Sequence, residues 1–421
     1  MKTGRFRYKI LFTLWLLYFI NYWDRISVLT LLPLIREDLH LTHAEIGFAA
    51  SIFFLAYAIA QVFAGHMADR FGAKIMMTIA ISAFTVVTFV TGLIQNLKQF
   101  LLIRVALGLG EGQHWTPSLK ICADWFPTKE KGRATGIYST SFTMGPAVAP
   151  IVATLIAASF GWRNVFFFLA IPGLIGIIFL YYFIINTPKQ AYELGRLEKN
   201  EFDYISSGLL PALAGEKKNV YGAILKDSVF WLYSFAFFFN LAVFWGNTTW
   251  ISSFLYEQHK IKIASMGVIA AIPFVVGGTS QILGGYLMDK VFHGKIKPIL
   301  FISFLGCIPC LYAIGKIQTG NISMLILLFV LLGFFANLNW GPFIAFIHLR
   351  YPREIVGTAA GISNFIGQCG AFLSPVIAGF LITKTESGIS YSNAFIFFSI
   401  CALTAAIFSL FLKENLLKIK N

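Results

Sequence analysis

Gly65-His66-Met67-Ala68-Asp69-Arg70-Phe71-Gly72-Ala73-Lys74 is the stretch from which the fold can be read. It gathers one acid, two bases and two glycines into a short hydrophilic turn. On either side, at 45–67 and 75–94, the chain is almost wholly apolar. About 20 mostly apolar residues cross a bilayer as a helix, so the turn reads as a tight connection between two crossings. Working outward with the same criterion marks ten more crossings, at 10–33, 100–126, 134–159, 164–185, 229–256, 264–288, 298–315, 322–347, 358–383 and 393–412. The long polar insert 186–228, with Pro188, Pro211 and a mixed charge run from Glu193 to Asp203, reads as a linker. It separates a bundle over 1–185 from a second over 229–421.

The halves repeat each other. Gly65…Asp69-Arg70 after the second helix returns as Gly285-Tyr-Leu-Met-Asp289-Lys290 after the eighth, a shift of 220. Phe126-Pro127…Gly132…Ala134…Gly136 returns as Tyr351-Pro352…Gly357…Ala359…Gly361, a shift of 225, and Gly145 and Pro150 return as Gly370 and Pro375 at that same shift. Two parallel six-helix repeats joined by a polar linker predict a transporter that works by alternating access, with its site between the halves near mid-membrane.

Composition agrees. Of 421 residues, 57% are hydrophobic and only 12% are charged, where a soluble domain carries about a quarter charged residues. The mean hydropathy is +0.73. A disordered chain, a nucleic-acid-binding domain and an ordinary soluble enzyme are excluded, and membrane lipid is the expected surroundings. The net charge of +14 then reflects the positive-inside bias: 23 of the 33 Lys and Arg residues fall on the side of the two termini and the linker, seven on the other side, and three inside helices. That asymmetry predicts cytoplasmic termini. No cleavable signal peptide is expected, because the first apolar run is too long and lacks a small-residue cleavage site. Cys307 and Cys310 form a CxxC inside an apolar stretch, where packing rather than redox chemistry is expected.

On these marks the chain resembles the major facilitator superfamily over essentially its whole length. The Gly65–Lys74 loop is that superfamily's most specific motif. The resemblance implies an all-α membrane protein with twelve transmembrane helices in two pseudo-symmetric six-helix bundles. Within the superfamily, Asn21-Tyr22-Trp23-Asp24-Arg25, the Gly110-Glu111…Trp125-Phe126-Pro127 segment and the Glu198…Tyr204-Ile205 linker resemble the anion:cation symporter family, bacterial members of which carry hexuronates, aldonates and aldarates. In the loop, Gly65 permits close helix approach, and Gly72 is counted with it in the latch motif. Asp69 and Arg70 are expected to pair with each other, with helix termini or with loop charges as a conformational latch, echoed by Asp289. A generic basic turn would leave the same pattern.

Ionisable side chains inside the membrane are expensive, about 2.5–3.5 kcal/mol each on insertion scales, and are functional by default. Here they are Asp24 and Arg25 in helix 1, and Arg104, Glu111 and Lys120 in helix 4. Asp24 and Glu111 both lie roughly 3 Å beyond their helix midpoints at 1.5 Å per residue, so they are candidate proton-coupling acids at matched depth. Arg104, two helical turns before Glu111, is placed to bias them, since a guanidinium opposes the effect of burial on a carboxyl. A structural Asp–Arg–Glu network is the other reading. With Arg104 serving the acids, Arg25 is left free to fork onto a substrate carboxylate. The family resemblance implies the same roles for Asp24, Glu111 and Arg25. Lys120 either reaches the cavity, as the family's matching Lys implies, or snorkels to the cytoplasmic face.

Three cations against two acids favour an anion once the acids are protonated. Hydroxyl-recognising candidates are Tyr22 in helix 1 and Tyr57 and Gln61, which share a face of helix 2. His114 either tunes Glu111 or is a packed core histidine. In the second half the candidates include Asn240, Trp245, Asn247, Thr248, Gln281, Asn337, Asn339, Trp340, Asn364 and Gln368, of which about half are expected to be interhelical hydrogen-bonding residues. One departure stands out: where galactonate-type relatives carry a substrate-facing Gln, this chain has Phe142. That points to a less hydroxylated anion, or to a shifted pose using Thr140 and Thr143.

The expectation is therefore a proton-coupled symporter for a small organic anion, most of all a sugar acid, working as a monomer in a bacterial inner membrane. H⁺ suits acids paired beside arginine better than Na⁺. An anion exchanger, an efflux antiporter, or uptake of a smaller carboxylate are the alternatives. A membrane-bound anion sensor would need a signalling domain that the linker does not offer. No cofactor, metal site, nucleotide-binding loop or catalytic set is expected, so the chain does not read as an enzyme.

Overall fold

The structure, a computed structural model, describes residues 5–207, 220–351, 353–386 and 388–413. Pro211 of the linker and Pro352 of the repeat lie outside the described residues, as do the first and last few positions of the two bundles. The chain is almost entirely helical, and twelve helical columns are described. In the first half these are helix 1 (Phe6–Asp38), helix 2 (His43–Phe71), helix 3 (Ala73–Thr91), helix 4 (Leu97–Glu111 with Trp115–Trp125), helix 5 (Thr128–Phe160) and helix 6 (Trp162–Phe183). In the second half they are helix 7 (Ser228–Gln258), helix 8 (Ile263–Val291), helix 9 (Lys297–Lys316), helix 10 (Ile322–Leu338 with Trp340–Arg350), helix 11 (Arg353–Leu381) and helix 12 (Ser392–Leu410). Between them come the linker helices Pro188–Glu193, Lys199–Ser207 and Val220–Leu225. A small hairpin, Thr383–Thr385 against Gly388–Ser390, follows helix 11 where the apolar run predicts helix up to 383.

Polar caps set where the helices start. Thr42 and Glu45 form a reciprocal capping box on helix 2, Asn96 caps helix 4, Asp227 helix 7 and Asn321 helix 10, each satisfying amide donors that a helix start leaves free. Gly72 ends helix 2 at φ +92°, a conformation other residues adopt only with strain. The side chain of Asn186 closes over it and accepts from the Lys74 amide at 2.7 Å.

Ten of the columns are long and apolar enough to cross a membrane. The two that fall short are helices 1 and 4, the ones carrying Asp24, Arg25, Arg104 and Glu111. Helix 4 is broken at 112–114. Pro117 cannot donate the amide that would close a turn onto residue 113, and Gly110 and Gly112 soften the same stretch. Large apolar side chains such as Ile282, Phe380 and Leu102 project from the outer surface, as expected of a lipid-facing belt and not of a water-facing one.

The two bundles meet through helix 1 against helix 7, helix 2 against helix 11 and helix 5 against helix 8. Repeat symmetry is visible in this seam. A Cβ on Gly47 would lie 2.7 Å from the Pro375 carbonyl, and a Cβ on Gly267, its counterpart 220 positions on, would collide with the Pro150 carbonyl. Both contacts lie toward the face opposite the termini, here the far face. On the terminal face Gly132, Gly136, Gly285, Gly357 and Gly361 have nothing within 4 Å of such a Cβ. The bundles are in close contact on the far face, and these terminal-face glycines make no such contact.

Candidate functional site

Arg25 does not stand free. Its Nε and Nη2 both donate to one oxygen of Glu111, at 2.9 and 2.6 Å, and Nη2 also faces the Asn21 carbonyl oxygen at 3.5 Å. The break in helix 4 makes this possible, because Glu111 is the last residue of Leu97–Glu111. Gly108 and Gly112 bring that helix so close to Phe53, Tyr57 and Ala60 of helix 2 that a Cβ at either would collide. The Arg25 guanidinium sits in a cage of rings, 4.7 Å from Tyr22, 4.8 Å from Phe53 and Tyr57, and 5.7 Å from Trp245. Trp245 belongs to helix 7 and is the counterpart of Arg25 at the 220 shift. Arg25 therefore lies at the seam, on the axis relating the halves.

Arg104 is placed otherwise than its spacing implies. Its Nη2 donates to the Ala50 carbonyl at 3.0 Å, its guanidinium lies over Phe53, and among the described residues Nε and Nη1 have no hydrogen-bond partner. So Arg25, not Arg104, holds Glu111. Asp24 is one residue from Arg25 but points behind helix 1, accepting from Thr88 of helix 3 at 3.0 Å, with its other oxygen unbonded. The second oxygen of Glu111 is unbonded as well. Asp24, Arg25 and Glu111 are 2%, 3% and 1% exposed. They lie behind the ring cage, away from open solvent, where the reading from sequence places them in a water-accessible chamber. Thr88 and Phe53 are partners that sequence reasoning missed.

Tyr22, Gln61, Trp340 and Asn364 are half-buried on the terminal side of this cage. Gln61 donates to the Tyr57 hydroxyl at 3.4 Å and accepts from Asn364, bridging helix 2 to helix 11 across the seam. The Phe142 ring stands 6.2 Å from that of Tyr22, so the departure noted in the sequence packs beside one ring of the Arg25 cage. Thr140 accepts from Trp15, and Thr143 donates to the Thr140 carbonyl.

Other candidates lie elsewhere. Lys120 pairs with Asp69 on the terminal side and is far more exposed than the site residues. Asp69 is thus engaged by Lys120 while Arg70 lies over Phe71. The expected Asp69–Arg70 pairing is replaced, and Asp289 is exposed. Gly65 has ordinary room in this state, with Thr116 at 3.6 Å from a Cβ. His114 stacks on Tyr18 at 5.5 Å and makes no hydrogen bond through either ring nitrogen. Asn339 donates to Asn240 and Ser303 and so binds helix 10 to helices 7 and 9, whereas Asn337 donates to the Gly333 carbonyl one turn back in its own helix. Asn247 keeps a free carbonyl oxygen and with Thr248 and Asn337 lines a space of about 20 Å³, room for one water. Gln281 is half-buried and Gln368 keeps a free carbonyl oxygen.

A second polar cluster closes the far face. Glu257 accepts from Arg36 Nε at 2.8 Å and from the Tyr391 hydroxyl at 2.6 Å, and meets His43 Nε2 at 2.7 Å. Tyr256 donates to Glu37 at 3.2 Å. Helices 1 and 2 are thereby tied to helix 7 and the start of helix 12.

The family model described as Major Facilitator Superfamily matches residues 14–319 and 262–420. A protein of Escherichia coli (strain K12) named a probable L-galactonate transporter is 27% identical over 377 residues, 87% of this chain and 81% of that one. A protein of Cupriavidus necator named a probable sulfoacetate transporter is 28% identical over 387 residues, 90% of this chain and 88% of that one. Among solved structures, an inward-facing, occupied bacterial homologue of the human lysosomal transporter Spinster has a TM-score of 0.79 at 20% identity, covering 97% of both chains; this is a likeness of fold.

Proposed function

Because the chain belongs to the Major Facilitator Superfamily, and is a multi-pass membrane transporter and not an enzyme, we propose that it imports a small organic anion together with protons. The observation that carries this reading is the buried Arg25–Glu111 pair. Separating such a pair without replacing either partner costs about 3–5 kcal/mol. A substrate carboxylate or sulfonate can take the place of Glu111 on Arg25 only if Glu111 becomes neutral, and a proton does that. The guanidinium is then always neutralised, by its own acid when empty and by the anion when loaded. Proton and anion load together or not at all. Asp24, next in sequence and hydrogen-bonded only to Thr88, supplies a second proton site. Arg104, with two unbonded nitrogens, keeps the surroundings positive.

The close contacts and polar ties on the far face support an alternating-access cycle held closed on that side. The Lys and Arg bias assigns the terminal face to the cytoplasm, in a bacterial inner membrane, with the chain working as a monomer. Sugar acids are the leading substrates, because a relative is named for L-galactonate transport. A smaller anion is the second reading. It is favoured by Phe142 packed toward Tyr22 and by the relative named for sulfoacetate.

The test is uptake into proteoliposomes with labelled galactonate, glucuronate, glucarate and sulfoacetate, with and without an imposed pH gradient. Accumulation of one of these driven by inward proton flow is expected. Exchange alone, unaffected by the gradient, overturns the symport reading, and no transport of any anion overturns the substrate class.

A further inference from the structure

The first turns of helix 1 divide their cations between two environments. Arg7 turns inward, where it pairs with Glu130 at 3.3 Å and Glu201 at 2.9 Å. Arg5 and Lys9 point outward, and among the described residues neither forms an ion pair. They are one helical turn apart, which puts their stems about 5–6 Å from each other on one face. Between them and the last turns of helix 6 runs an outward-facing groove of about 420 Å³, lined by Arg5, Tyr8, Lys9, Phe12, Phe179 and Phe183, with Thr13 at its base. The polar end is at the terminal face. The rest is aromatic: Phe12 lies 6.3 Å from Phe179, which lies 5.7 Å from Phe183. Thr13 contributes no free donor, since its hydroxyl is committed to the Lys9 carbonyl at 2.8 Å.

We propose that this groove is a binding site for an anionic phospholipid of the leaflet on the terminal side. The phosphate sits between Arg5 and Lys9, with Tyr8, whose hydroxyl accepts from Arg7 Nη2 at 3.4 Å, at the rim, and an acyl chain lies along Phe12, Phe179 and Phe183. Charge complementarity selects the occupant. Two cations with no ion pair among the described residues, at headgroup level, want an anion, and the apolar trough beneath them wants hydrocarbon; a lipid supplies both on one molecule. Basic pockets between membrane helices bind acidic headgroups on the same grounds. A scattered positive-inside charge would need no trough below it.

The experiment is native mass spectrometry of the full chain in mild detergent, titrated with phosphatidylglycerol or phosphatidylcholine of matched acyl chains. The parent is expected to retain one phosphatidylglycerol in preference to phosphatidylcholine. The R5Q/K9Q variant is expected to lose about 25-fold in apparent affinity, at roughly fivefold per cation near an anionic surface. K290Q/K295Q removes two exposed cations elsewhere on the terminal face and is expected to bind within twofold of the parent. F179A is expected to weaken retention with both cations in place. Equal retention of the two lipids by the parent overturns the proposal, as does undiminished binding by R5Q/K9Q. Equal losses in the two double variants reduce the effect to diffuse charge and overturn it too. Displacement by glycerol 3-phosphate as effective as by the lipid overturns the lipid as occupant.

Discussion

Arg36 of helix 1 donates to Glu257 of helix 7 at 2.8 Å, and the relationship is reciprocal: Tyr256, the counterpart of Arg36 at the 220 shift, donates to Glu37, the counterpart of Glu257. The two repeats meet at the far face as a self-complementary pair, the arrangement a two-fold axis imposes on any contact made across it. The centre of the membrane obeys the same rule, where Arg25 meets Trp245. A tie that recurs about the axis closes both sides of the seam at once.

Glu257 gathers three donors from the opposing bundle and from the start of helix 12. A hydrogen bond to a charged group contributes about 1.5–3 kcal/mol, so Glu257→Gln is expected to shift the balance roughly thirtyfold toward a far-face-open state. Spin labels at Gln95 and Gln318, on the far-face loops of the two bundles, should gain a longer distance in pulsed electron resonance. An unchanged distance distribution would refute the tie as a gate.

The two acids are expected to behave differently. Glu111 is bonded to Arg25, and Asp24 does not touch it. Both Asp24→Asn and Glu111→Gln should lose proton-driven accumulation at least tenfold while retaining exchange. Only Glu111→Gln should flatten the decline of anion affinity with rising pH, since its amide never becomes a rival anion. Arg25→Ala should abolish binding. Isothermal titration of the parent and the three variants between pH 5.5 and 8.5 checks this; an identical pH slope in the parent and Glu111→Gln would sink the competition.

Phe142→Gln should favour hydroxylated anions. It replaces a ring beside Tyr22 with a donor and acceptor, and one hydrogen bond is worth about 0.5–1.5 kcal/mol. The kcat/KM ratio for galactonate over sulfoacetate is expected to rise about two- to tenfold. A ratio that stays put would place Phe142 outside the path.

At the terminal end of helix 7, Asp227 accepts from Arg350 at 2.8 and 2.7 Å and from Tyr351 at 2.6 Å. Burial works to raise its carboxyl, but the hydrogen bonds from Arg350 and Tyr351 and the charge of Arg350 outweigh it and hold it below the ordinary value. A depressed acid contributes its stability in full above the unfolded value, near 4, and loses it as the pH falls through the folded value. Asp227→Asn should therefore lower Tm at pH 7, with the gap to the parent narrowing below about pH 4. A gap independent of pH would mean the bonds act without the charge.

The twelve helical columns, the repeat and the charged positions were legible because lipid imposes long apolar runs, and a buried charge interrupts them conspicuously, as it does in helices 1 and 4. The break at Gly112–His114 was signalled by Pro117, although the apolar run reads as one helix. The far-face tie also left a trace: the shift that maps Gly65 onto Gly285 maps Arg36-Glu37 onto Tyr256-Glu257. The partners of those side chains were not legible. Arg104 and Arg25 are both arginines at plausible depth, and spacing along helix 4 favours Arg104 as the partner of Glu111. Orientation about helix 1, and the approach to helix 2 permitted by Gly108 and Gly112, gave Glu111 to Arg25 instead.

By itself the sequence determined that this chain spans a membrane as two related bundles and carries charges at mid-depth, because hydropathy and repetition are properties of local composition. Only the tertiary structure decided which charge neutralises which, that Asp24 faces Thr88 and not the seam, and that Lys120 belongs to Asp69. Those outcomes depend on helix rotation and on contacts between residues up to more than 200 positions apart, which no periodicity along the chain encodes.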